Sequence, residues 1–154
     1  MRQAVVAGAV VVAALNLVPA VVGGAVWYRG RPDGSAARAF WVTLRVGQGA
    51  ALAFALVVGS LAAAGHTASE GLFYLYALLP LAVAFVAEQL RVASAQTILD
   101  QSGLPDSASV GRLPEDDQRT LVGSILRREI GVMAISAVVV VFLALRAAGT
   151  AHGF

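Results

Sequence analysis

The chain contains no cysteine. That absence excludes disulfides, thiolate metal sites, iron–sulfur clusters and cysteine nucleophiles. Lysine is missing too, since all 11 basic residues are arginines. We read that as compositional bias. Charge of either sign is scarce, at 13% of residues, against about 25% in a soluble domain. Hydrophobic residues make up 58%, against about 45–50%, and the mean hydropathy is +0.78. A soluble fold of 154 residues with this composition would leave large apolar patches in water, and such patches aggregate. In a bilayer the same surface meets hydrocarbon at little cost.

Catalytic motifs are missing as well. There is no Walker loop, no H-E-x-x-H and no G-x-S-x-G. Gly47-Gln48-Gly49 lies inside an apolar stretch and does not follow a strand, so it is not a dinucleotide fingerprint. The serines are scattered, and those on the expected cytoplasmic side have no histidine there to activate them.

What remains is four apolar segments, at about 4–27, 40–64, 71–92 and 129–147. A spanning helix needs roughly 20 residues. The first three segments fit, and the fourth reaches that length when Arg128 and Arg146 snorkel to the interfaces. Runs such as Val138 to Val141 lack the alternation of a membrane strand, and a helix satisfies its own backbone hydrogen bonds in hydrocarbon. The first segment is longer than the apolar core of a signal peptide, about 7–15 residues, and no A-x-A site stands out at its end. We read it as the first transmembrane helix.

Between the third and fourth segments lies the one sizeable polar stretch, about 93–128. Val92, Ala95 and Leu99 recur at helical spacing, so helix three should continue past the membrane. Gly103 followed by Pro105 is a helix stop. Pro114 followed by Glu115, Asp116 and Asp117 is a helix start. The expected fold is therefore all-α and a single integral membrane domain, 1–154. It is a four-helix transmembrane bundle whose helices three and four extend into a cytoplasmic helical hairpin with a turn from Gly103 to Leu113.

Arginines set the expected orientation. Arg29, Arg31 and Arg38 follow the first segment, and Arg91, Arg112, Arg119, Arg127 and Arg128 follow the third, eight against Arg2 and Arg146 on the other side. Arginine-rich short loops stay in the cytoplasm. The expectation is a multi-pass cell-membrane protein with both termini outside. The pI near 9.7 would raise the question of nucleic acid. Here the arginines flank apolar segments, so topology accounts for them and no nucleic-acid partner is expected.

Several residues stand out as sites. Gly47, Ala51, Ala55, Gly59 and Ala63 recur every four residues and form a stripe that lets helices approach closely. The stripe serves packing within the monomer or a homo-oligomer interface. Arg45, Gln48, Glu88, Arg91 and Glu129 lie at the cytoplasmic ends of the spans, where intramembrane charges pair with one another. Arg45 with Glu88, and Arg91 with Glu129, are the expected pairs in a buried polar cluster. Pro19 should kink helix one, and Asn16 beside it can hydrogen-bond to a neighbour or line a cavity. On the outer side, His66 and Glu70 would share a face if helical, and with His152 they are the candidate ligands for a metal or a haem. No cofactor is expected.

Three functions remain open on these residues. The first is a non-enzymatic accessory or assembly subunit of a larger membrane complex, or a homo-oligomer, with the lipid bilayer as its medium. The second is a small transporter or channel built on Asn16, Pro19 and the Arg45/Glu88 cluster. The third is a membrane enzyme or a metal- or haem-binding protein.

Overall fold

The structure is a computed structural model and describes residues 1–30, 32, 34–104 and 107–153. It is all-helical among the described residues. Four long helices carry the chain: α1 (Arg2–Arg29), α2 (Gly34–Ala63), α3 (Gly71–Gln101) and α5 (Glu115–Thr150), with a single turn, α4 (Ser107–Val110), between the last two. All four long helices are long and apolar enough to cross a membrane. Of the residues read above as boundary signals, Arg31 and Pro105 lie outside the described residues.

The helices form a closed ring in the order α1, α2, α3, α5. The α1/α5 seam is the most extensive, and the α2/α3 seam is the thinnest. The first connection is shorter than expected because α2 begins at Gly34, six residues before Phe40. Its added turn has an inward face, with Ala37 buried.

Glycine sites set the close approaches. A Cβ on Gly23 of α1 would fall 2.5 Å from Phe40 Cε2 and 2.9 Å from Ala134 Cβ. A Cβ on Gly131 of α5 would fall 2.9 Å from the Trp27 indole. Large rings thus fill notches left by missing side chains, which lets the helices approach closely. Phe40, fully buried, meets Trp41 edge-to-face at 5.0 Å.

The core divides into two apolar layers. One gathers Val5, Val12, Phe54, Val58, Phe73 and Val140 near the chain termini. The other gathers Val26, Phe40, Leu44, Ile130 and Met133 at the arginine-rich end. Asn16 is buried between residues of the two layers.

The polar stretch is ordered by its own backbone chemistry. Gly103 takes the left-handed conformation at φ 69°, and Leu104 N donates back to Leu99 O at 3.0 Å. This is the six-to-one closure of a helix C-terminus. α5 starts one residue later than the proline, which caps it from outside at Pro114. Gln118 Nε2 reaches back to Leu113 O at 2.8 Å. The turn expected between Gly103 and Leu113 contains α4.

Candidate functional site

The polar residues near the arginine-rich end assemble into one chain of contacts across three helices. On α2, Arg45 Nη1 donates to Gln48 Oε1 at 2.7 Å and to Glu88 Oε1 of α3. Arg91, one turn on, has its Nε 3.1 Å from Glu88 Oε2, and its Nη1 lies 3.8 Å from Glu129 Oε2 on α5. The first is a charge contact that misses hydrogen-bond geometry, so the Nε–H has no hydrogen-bond partner among the described residues. The Arg91 guanidinium also stands over the Trp41 ring, 5.4 Å from its centroid. That is cation–π range.

The five residues singled out in the sequence thus meet, but they are not buried. The Arg45 side chain is 52% exposed, those of Glu88 and Arg91 are 27% and 29% exposed, and only Glu129, at 17%, is well covered. The cluster sits on the flank of the bundle, because a long arginine can lay its stem along the helix and carry its charge outward. Chemically it is a clamp. Each carboxylate faces an arginine, and Glu88 is shared between two.

Of the two roles considered for Asn16, the structure displays the hydrogen bond to a neighbouring helix. Its Nδ2 donates to Val12 O at 2.9 Å and to Gly47 O at 3.2 Å. It is 2% exposed and packs straight onto Gly47, where a Cβ would lie 2.8 Å from its Oδ1. The amide fills its space by joining α1 to α2. Pro19 is buried beside it, within a helix that runs from Arg2 to Arg29. The neighbouring helices hold the proline inside a continuous element.

The small-residue stripe splits in two. Gly47, Ala51 and Ala55 are buried, whereas Gly59 and Ala63 are exposed, and Gly59 has open space around it. Each four-residue step overshoots a helical turn by about 40°, so Gly59 lies about 120° around the helix from Gly47. Phe54 and Val58 continue the buried face instead.

His66 and Glu70 do not share a helical face. α2 closes at Gly65 in the left-handed conformation, and residues 66–70 form a loop. This loop is tied to the C-terminal residues: Ser69 N donates to His152 O at 2.9 Å and Ser69 Oγ at 3.1 Å. The contact uses the His152 backbone, and the imidazole is exposed. Among the described residues no group of three or more His, Asp or Glu converges as a metal site would.

No protein-family model, curated protein or solved structure matches the chain.

Some participants were not among the residues first singled out. Trp41 is one of them, and its place over Arg91 depends on which face of α2 meets α3. Arg127 donates from Nε to Trp27 O at 3.1 Å and so caps the C-terminal end of α1. Cations are favoured there by the helix dipole. The signal that points to it is spacing: Arg119, Gly123 and Arg127 recur every four residues and share one face of α5.

Proposed function

We propose that this chain is an integral membrane protein of non-enzymatic character, an accessory or assembly subunit of a larger membrane complex or a homo-oligomer. One observation carries the reading. The buried polar side chains of Asn16, Ser94 and Ser136 each bond a backbone carbonyl of the chain, while large apolar side chains lie on the outside of all four long helices. Val21, Leu56, Phe85 and Phe142 are each more than 60% exposed, one on each helix. In a bilayer that surface faces lipid or another subunit.

The alternative of a small transporter or channel has less support. A transport path needs polar lining through the midplane. Asn16 spends its amide on two backbone carbonyls, and apolar layers with Phe54 and Phe73 on one side and Phe40 and Met133 on the other flank it.

Topology follows from the same reading. Arg29, Arg38, Arg112, Arg119, Arg127 and Arg128 belong to one end of the ring, to which Arg127 joins the end of α1. That end is cytoplasmic under the arginine rule, and both termini are outside. A helix of 36 residues such as α5 is about 54 Å long, well beyond a hydrocarbon core of about 30 Å. The surplus lies at its arginine-rich start, so α5 and the end of α3 project as a cytoplasmic hairpin.

Native mass spectrometry after extraction in mild detergent tests the reading. A defined multiple of 15.8 kDa or a fixed protein partner is expected. A bare monomer, unchanged when the protein is released from nanodiscs without detergent, overturns it.

A further inference from the structure

The end of α1 and the first half of α5 enclose an open cleft of about 460 Å³. Its walls carry Trp27, Gly30, Arg119, Ser124, Arg127 and Arg128, with no carboxylate among the described lining residues. Three arginines therefore line one cleft. Arg119 is held by Glu115 one turn back, and Arg127 spends its Nε on Trp27 O, which fixes the group while leaving its terminal nitrogens available. Arg128 makes no ion pair or hydrogen bond among the described residues. Elsewhere at this end, by contrast, Arg45 and Arg91 are matched with Glu88 and Glu129.

Arg127 and Arg128 have no counter-charge among the described residues, so they repel one another, and an anion that enters relieves this. Guanidinium matches phosphate in particular, because its planar fork donates two parallel hydrogen bonds to phosphate oxygens. Trp27, half-exposed at the mouth, offers an indole of the amphipathic kind that sits at head-group level. We propose that this cleft binds a phosphate group, carried by an anionic phospholipid or present as the free ion. The lipid source rests on the membrane reading above.

The test uses the full chain in nanodiscs of phosphatidylcholine, with or without phosphatidylglycerol, released for native mass spectrometry. The variants are Arg128→Gln, and Arg29→Gln as a control for charge at the same end but outside the cleft. Phosphatidylglycerol should stay bound in preference to phosphatidylcholine. Arg128→Gln should cut that retention about tenfold, the worth of one charge-assisted contact, and Arg29→Gln should leave it unchanged. A second arm titrates inorganic phosphate into the phosphatidylcholine nanodiscs and follows Trp27 emission in a Trp41→Phe background. A saturable response lost in Arg128→Gln, without lipid preference, supports the site with free phosphate as its ligand. Equal losses in Arg29→Gln and Arg128→Gln, or no response to either probe, overturn the proposal. The protein mass in the same spectra reports oligomeric state separately, so a monomer that retains phosphatidylglycerol would sink the assembly reading and keep the site.

Discussion

At Gly47 a hydrogen atom occupies the place where any other residue carries a Cβ, and the Asn16 amide rests against it. The close approach brings Gly47 O within 3.2 Å of Asn16 Nδ2. Such a bond between helices is worth about 0.6 kcal/mol on average in a membrane protein. A methyl group at Gly47 would push Asn16 away, losing the bond and overpacking the seam. Gly47→Ala should therefore destabilise the bundle by about 1–3 kcal/mol. Gly59→Ala places its methyl in open space and should stay within about 0.5 kcal/mol. Denaturation midpoints of the two variants in one detergent check the contrast. Equal losses would mean that the stripe packs as a unit and that the split between its halves is wrong. The sequence makes the stripe visible but not its split, because a count of small residues at i+4 does not carry the drift of a straight helix.

The α2/α3 seam is the thinnest in the ring, and the Arg45–Glu88–Arg91 contacts cross it. Glu88 is the shared member. Replacing it removes the counter-charge of two arginines at once, whereas replacing Arg45 frees one exposed end. An exposed ion pair contributes about 0–1 kcal/mol, and breaking a fully buried one costs about 3–5 kcal/mol. At 27% exposure Glu88 lies between these limits. Glu88→Gln should thus cost about 1–2 kcal/mol and Arg45→Gln less than about 1 kcal/mol in the same denaturation series. A larger loss for Arg45→Gln would place the clamp's centre on α2. The pairing partners were legible because charges near a span boundary must meet one another, and four helices leave few choices. Exposure was not legible. It depends on where each stem leaves its helix, and the same holds for Trp41 over Arg91 and for the cleft of Arg119, Arg127 and Arg128. The outer residues failed for a local reason: the spacing of His66 and Glu70 presumes a helix that Gly65 has already ended.

On the scale of the whole molecule, the distribution of arginine makes the two ends of the ring unlike. One end holds Arg38, Arg112, Arg119, Arg127 and Arg128, and the other holds Arg2 and Arg146, the latter lying 5.5 Å from the Tyr76 ring centroid. The existence and number of the long helices followed from apolar length alone. The orientation proposed above rests on charge, and it has a direct test. The chain has no cysteine of its own, so each introduced one reports alone. Thr67 is exposed in the loop tied to the C-terminal residues, and Ser109 lies in α4 at the opposite end. In intact cells Thr67→Cys should react with a membrane-impermeant maleimide, and Ser109→Cys should react only after permeabilisation. The reverse pattern would invert the bundle and move the arginine-lined cleft to the outer leaflet. Labelling of both sites in intact cells would mean that the four helices do not all span.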